Sequence, residues 1–513
     1  MTDVAIVEGR VALIGDCALR DAVERIPCAG RALAPGFIDV HAHSDELWLV
    51  EPGAFGKISQ GVTTEIAGNC GTSAAPLIGL AREEKQRDAR RYGLDVEWTT
   101  FDEFFSLVAR GGIALNVASL VGLGTTRAVV AGAHDRRLDE AESERQTGLV
   151  RQAIEHGALG VSSGLIYEPS RYADRGELIE CARAAREAGA PRYVSHVRDE
   201  GDALIEAVEE ALAVGAGANV AVQCSHHKAA GKRNWGKVHR SLELLDAART
   251  RGIEAGVDVY PYIASWTGLA TILPAAVRSG GSAAALARLR DPQAAAATAL
   301  ALTLAHDPAT GVPNETWHDI LVTNVGSERN AGLAGQRLDE IAARWRMPPA
   351  RAALRLLVEE EFDVECAFFS MNEDDVGTVL SASFASVGSD ASARAFSGIT
   401  ARGVPHPRTY GCFPRVFGRF VRGRRTLSIE EAVHRMTALP ARQFSLRDRG
   451  TVARGAWADL VVFDPDEIVD RATYENPFVQ SAGIAHVYVN GRAVVRDGAA
   501  TGARPGRVLR GGR

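Results

Sequence analysis

No stretch of this 513-residue chain reaches the roughly 20 consecutive apolar residues that a membrane-spanning helix requires. Nor does its start, Met1-Thr2-Asp3-Val4, carry the basic and apolar regions of a secretory leader, so the chain is expected to be cytoplasmic. Basic charge is not concentrated anywhere: 58 Lys and Arg against 64 Asp and Glu, spread along the chain, give a net charge of −6. That leaves no stripe for a nucleic-acid backbone and no polybasic membrane anchor. The seven cysteines, at 17, 28, 70, 181, 224, 366 and 412, show no repeated spacing, which excludes the disulfide framework of a small secreted domain. What is present is ordinary globular composition, 46% hydrophobic and 24% charged, in a chain long enough for a large catalytic domain and a smaller one.

Short apolar runs ending in polar residues or glycine alternate with longer amphipathic, alanine-rich segments. They fall at Thr63–Ala67, Asn116–Val121, Gly160–Ser162, Tyr193–His196, Ala221–Cys224, Gly256–Tyr260 and Ser386–Ser389. Strand and helix in alternation predict a parallel sheet, and seven or eight such units predict an α/β fold, a (β/α)8 barrel over 35–439. The two ends, 1–34 and 440–513, read instead as short alternating strands separated by Gly and Asn-Gly turns, and are expected to pair into one small β-sandwich domain. Residues 263–371, with an alanine-rich tract at 284–305, are too long for a barrel connection and read as an inserted helical subdomain, a lid or an extra layer. The arginine- and glycine-rich tail, 502–513, is expected to be loose.

The chemistry begins at Pro35-Gly36-Phe37-Ile38-Asp39-Val40-His41-Ala42-His43. Side chains alternate along a strand, so His41 and His43 emerge on one face at its end, as two ligands on one cation must. Cys70 follows another strand, flanked by Gly68 and Gly71, which let the backbone bring a thiolate close to a cation. His196, His226 and Asp390 each close a further apolar run. Any one of these could be an ordinary polar residue at a strand terminus. Six at five strand ends of one barrel converge on a single mouth, which points to a metal site. Thiolate and imidazole donors favour zinc over magnesium or calcium.

The segments PGFIDVHAHSD (35–45), QGVTTEIAGNCGTSAAPL (60–77), GALGVSSGLIYEPS (157–170), YVSHVRDEG (193–201), SHHKAAGKRNWGK (225–237), DVYPY (258–262), GSDAS (388–392) and HPRTYGCFPRV (406–416) together resemble the N-acyl-D-amino-acid deacylases, the D-aminoacylases, of the amidohydrolase superfamily. A Cys after Gly-Asn, where related barrels commonly have a carbamylated lysine, is similar to this subgroup. The resemblance implies that Cys70, His196 and His226 hold one tightly bound zinc. His41, His43 and Asp390 would form a second, weaker position, with Cys70 able to bridge, and His227 would not be a ligand. It also implies that zinc polarises an amide carbonyl and activates water, while Asp390 acts as general base and then general acid. Lys228, Tyr260 and Arg408 would surround the substrate, with Arg408 fitting the free carboxylate of an N-acyl amino acid.

Departures from the family pattern touch none of these ligands. Ser265-Trp266 stands where the family usually has Gly-Ser, so Trp266 is expected to narrow the substrate pocket or to stack on an apolar group. Leu123 replaces a common histidine, and the first β-hairpin is expected to be shortened. His406, Arg415 and Trp235 read as structural. The expected activity is zinc-dependent release of a carboxylate and a D-amino acid from a small N-acylated substrate, with no nucleic-acid or membrane partner. A D-dipeptidase or a cyclic-amide hydrolase would use the same zinc chemistry, and a catalytically silent relative would bind a ligand without turnover.

Overall fold

The computed structural model describes residues 3–17, 20–306 and 316–511. Eight parallel strands carry the fold: β1 (Phe37–Asp39), β2 (Val62–Ala67), β3 (Asn116–Ser119, continued by Val121–Gly122), β4 (Val161–Gly164), β5 (Arg192–His196), β6 (Ala221–Cys224), β7 (Ala255–Val259) and β8 (Ala385–Val387). Neighbours pair in chain order. The ring closes where Ala42, just after β1, bridges Ala391, just after β8, and Asp390 N–H donates to the His41 carbonyl at 2.8 Å.

Every residue of β2, β4, β5, β6 and β7 is buried, because helices cover the outside of the ring while side chains fill its inside. Apolar side chains from the strands and from the turn after the last barrel helix plug the interior: Ile38, Val40, Ile66, Ala118, Val194, Phe444 and Leu446. The helices start on ordinary caps. Thr100 and Glu103 form a reciprocal capping box at the head of Phe101–Gly111, and Asp139 and Glu142 do the same for Glu140–Glu155.

Strands from both chain ends pair outside the barrel. Ala32–Pro35 runs antiparallel to Leu460–Phe463 in a five-stranded sheet, and the hairpin Asp3–Val7 with Arg10–Gly15 packs on it through Val11, Ala458 and Leu460.

The insertion contains helices, as expected, and also a three-stranded antiparallel sheet that the helical reading omitted. Ser265–Gly268 and Ile320–Val325 flank Val364–Phe368, over a separate core that includes Leu269, Val322, Leu338, Leu357 and Phe368. The two β-branched runs at 320–325 and 364–368 were masked by the alanine-rich helices around them. Its edge strand, Ser265–Gly268, reaches the barrel mouth: Tyr167 of the β4 loop bonds Thr267 Oγ1 at 3.1 Å.

The expectation of a loose tail is also corrected. Residues 506–511 run along the barrel's N-terminal end, with Gly506 N–H on the Ile113 carbonyl, Leu509 N–H on that of Val117 and Gly511 N–H on that of Gly157. Leu509 packs against the barrel plug, and this apolar anchor together with the backbone bonds outweighs the glycine-rich composition. Met1, Thr2, Gly512 and Arg513 lie outside the described residues. Among the described residues, no helix is long and apolar enough to cross a membrane.

Candidate metal centre

The strand ends bring all six expected ligands into one cluster. Donor atoms of His41, His43 and Cys70 lie within 4.8 Å of one another, as do those of Cys70, His196 and His226, and those of His41, His226 and Asp390. The Cys70 thiol is the shared vertex: its Sγ is 3.3 Å from His41 Nε2, 3.4 Å from His226 Nε2 and 3.7 Å from His196 Nδ1. With metal–sulfur and metal–nitrogen bonds of about 2.3 and 2.0–2.1 Å, a tetrahedral zinc spaces its thiolate and imidazole donors about 3.5 Å apart. The Cys70, His196 and His226 donors therefore fit zinc in both type and spacing.

Local backbone geometry explains how these side chains reach inward. Cys70, His226 and Asp390 all have left-handed φ, at 53°, 34° and 51°, a conformation that non-glycine residues hold only where the surroundings enforce it. Around Cys70 the chain has no room for side chains. A Cβ on Gly68 would lie 2.1 Å from the Leu120 carbonyl oxygen, and one on Gly71 would lie 2.7 Å from Gly164 N. These glycines let the loop pack against β3 and β4 while the thiol points to the mouth.

Two carboxylates, the buried Asp258 and the half-buried Glu200, orient the imidazoles, and the sequence reading missed both. Asp258 Oδ1 accepts from His41 Nδ1 at 3.0 Å and from the His226 backbone N–H at 2.7 Å. Glu200 Oε1 lies 2.9 Å from His226 Nδ1 and pairs closely with Lys228 Nζ. Carboxylates behind ligating imidazoles fix ring orientation and tautomer. Both residues stood in quoted motifs, DVYPY and YVSHVRDEG, Asp258 one residue before its strand ends and Glu200 four residues past the end of the His196 strand. Below the mouth, fully buried Lys57 donates to Asp39 Oδ2 at 2.6 Å, Ser389 Oγ at 2.8 Å and the Ala391 carbonyl at 2.9 Å, locking the β8 loop that carries Asp390.

Electrostatics follow from this packing. Burial alone would raise the Cys70 thiol's pKa, but His41, His226 and His196 outweigh it and hold it well below the usual thiol range. Burial would likewise raise Asp390, yet Arg408, His226, His43 and His41 keep its carboxyl well below the ordinary range. His227 is pushed down to about 4 by burial and Lys228, and it bonds Ser241 Oγ at 2.7 Å, apart from the ligand cluster.

On the substrate side, Arg408 Nη2 reaches Asp390 Oδ2 at 3.0 Å and the Trp266 carbonyl at 3.4 Å. Its Nε and Nη1 are buried with no hydrogen-bond partner, and the buried Tyr260 hydroxyl has none either. The Arg408 guanidinium lies 4.6 Å from the Tyr260 ring and 5.7 Å from that of Trp266, so the three form one wall. Trp266 is partly exposed, and its indole N–H donates to Thr323 Oγ1 at 2.8 Å. Lys228 differs from expectation: its ammonium pairs closely with Glu200 and lies 2.8 Å from His226 Nδ1, so it fixes the carboxylate behind that imidazole. Tyr167 is a further missed residue, its ring edge-on to His196 at 5.2 Å. His406 is buried against the Ala264 carbonyl and the Tyr474 hydroxyl, in keeping with a structural part.

A barrel whose strand ends gather imidazoles, a thiolate and a carboxylate defines a metal-dependent amidohydrolase. The amidohydrolase family model matches residues 388–495. An N-acyl-D-glutamate deacylase of Alcaligenes xylosoxydans xylosoxydans is 38% identical over 513 residues, covering 99% of this chain and 92% of that one. A D-aminoacylase of the same organism is 34% identical, covering 99% and 93%. The crystal structure of an N-acyl-D-glutamate deacylase from Bordetella bronchiseptica, complexed with zinc and a phosphonate mimic of the tetrahedral intermediate, superposes with a TM-score of 0.82 at 36% identity, covering 99% and 95%. The chain belongs to the N-acyl-D-amino-acid deacylase family of amidohydrolases.

Proposed function

We propose that this chain hydrolyses the amide bond of N-acyl-D-amino acids with zinc, with Cys70, His196 and His226 holding one ion tightly. His41, His43 and Asp390 offer a second, weaker position across the shared Cys70 thiolate. The observation that carries this reading is the spacing of the Cys70, His196 and His226 donors beside Arg408 donors that lack a partner.

A zinc ion so held supplies Lewis acidity toward the amide carbonyl and lowers the pKa of a water towards neutrality. Asp390 accepts the proton of the attacking water at its carboxylate and returns it to the departing amine nitrogen. Arg408 and Tyr260 bind the substrate carboxylate through the Nε, Nη1 and phenol donors that have no partner of their own. Glu200 and Asp258 hold the His226 and His41 rings in their donor orientations, and Lys228 fixes Glu200. Trp266 lies beside the carboxylate wall and bounds the space for the amino-acid side chain.

The partnerless Arg408 and Tyr260 donors favour a linear substrate with a free carboxylate over a neutral ring, which would leave them unsatisfied. The test is hydrolysis of matched N-acetyl-D- and N-acetyl-L-amino acids by purified protein, with zinc measured on the same sample. Release of free D-amino acid, lost in Asp390→Ala, is the expected result. Bound zinc with turnover only of cyclic amides would overturn it.

A further inference from the structure

β5 ends in His196 at the barrel mouth and begins, at the opposite end of the barrel, with Arg192. The Arg192 side chain is more than nine-tenths buried and lies against the Phe444 ring, with Cζ 4.9 Å from its centre. Among the described residues its guanidinium has no hydrogen-bond acceptor and no ion-pair partner. Burial pushes it down to about 10, with only Glu254 opposing from a distance.

Arg192 faces a cleft of about 390 Å³ bounded by the 189–191 loop, the 444–449 turn and the 507–511 tail. Arg447, Arg449, Arg507 and Arg510 line the same cleft, and neither Asp nor Glu does. Arg449 is neutralised by Asp459, and Arg510 by Asp102 at 2.6 Å. Arg192, Arg447 and Arg507 have no carboxylate partner among the described residues. Arg507 is instead held against the Trp457 ring at 4.1 Å, a ring that Arg10 also approaches at 4.1 Å and Arg449 at 5.4 Å. In a protein of net charge −6, three uncompensated arginines around one concavity are a local inversion of sign. A low-dielectric wall concentrates that field on whatever enters.

We propose that this cleft is a binding site for a multiply charged phosphate anion of diphosphate or triphosphate size, with Arg192 at its floor and Arg447 and Arg507 at its rim. Guanidinium forks match phosphate oxygens bidentately, which favours phosphate over a simple carboxylate. A single phosphate group carries a charge of about −1.5 to −2, so it leaves one of the three arginines unmatched, whereas a diphosphate engages all three. The site is remote from the amide-hydrolysing mouth and does not depend on the activity assigned there.

The test is calorimetric titration of pyrophosphate into the zinc-loaded protein, against sodium chloride at matched ionic strength. The expected result is saturable one-site binding, weakened at least tenfold in the Arg447→Ala/Arg507→Ala variant, with kcat/KM for deacylation within twofold of wild type. Arg192→Met should abolish binding without lowering Tm, because an uncompensated buried charge is removed; the two exposed arginines carry the test if that variant fails to fold. Orthophosphate should bind at least tenfold more weakly than pyrophosphate. Heats no larger than those of sodium chloride would overturn the site. So would undiminished binding in the double variant, which would place the anion at the metal centre. Equal affinity for orthophosphate would overturn the multiply charged class.

Discussion

The two ends of the barrel treat buried charge in opposite ways. At the mouth the charged groups are paired: Asp390 lies between His43, His41 and Arg408, Glu200 between His226 and Lys228, and Asp258 against His41. At the other end Arg192 is buried beneath the rim arginines 447 and 507, and none of the three has a carboxylate partner among the described residues. A charge that is compensated on all sides orients neighbours and keeps them in one protonation state. A charge left uncompensated attracts a ligand. Burial is common to both ends, so the informative difference lies in the partners.

The comparison can be broken most severely at the shared vertex of the mouth. Cys70→Ala should abolish zinc binding at the proposed site and lower deacylation by more than about 10⁴-fold, because the donor nearest to three of the imidazoles is removed. Metal analysis of the purified variant checks this, and zinc retained at wild-type stoichiometry would remove Cys70 from the ligand set. Asp390→Asn comes next. It should cut kcat by about 10²–10⁴-fold, the usual worth of a general acid–base group, while zinc content stays near wild type. Metal lost together with activity would reduce Asp390 to a ligand. Arg408→Met should lower kcat/KM on N-acyl-D-amino acids by about 10–100-fold, as expected for a lost charged hydrogen bond to the substrate carboxylate. Unchanged kcat/KM would end the carboxylate-clamp assignment.

Effects on stability sharpen the contrast between the ends. Lys57→Met should destabilise the fold by about 3–5 kcal/mol, since it leaves the buried Asp39 carboxylate uncompensated. Arg192→Met strands no carboxylate and should cost less than about 1 kcal/mol or raise stability. Chemical denaturation of both variants measures the pair, and equal losses would mean that the two buried cations are compensated alike.

Much of the candidate site was legible because its proposed ligands lie at the ends of apolar runs. A strand's two-residue period put His41 and His43 on one face, and barrel topology sent every strand end to one mouth. The flanking glycines at 68 and 71 marked Cys70. The orienting partners were harder to read. Glu200 acts across to His226 and Lys228, and a chain segment does not reveal which distant side chain a carboxylate will meet. The Lys228 ammonium was expected on substrate for the same reason. The insertion's sheet was missed because strands at 265–268, 320–325 and 364–368 pair only after about a hundred residues of chain fold back. The tail was misjudged because composition registers Gly and Arg, while its order comes from backbone bonds to residues near 113–117 and 157.

The sequence by itself determined the fold class and the six side chains that could serve as ligands, because strand periodicity and residue chemistry are local properties; the family followed from the resemblance of its motifs. Only the tertiary structure decided that Asp258 and Glu200 stand behind those ligands, that Arg408 keeps two donors without partners, and that arginines 192, 447 and 507 share one cleft. Those facts depend on which remote segments the barrel brings together, and on which charges that arrangement pairs and which it leaves alone.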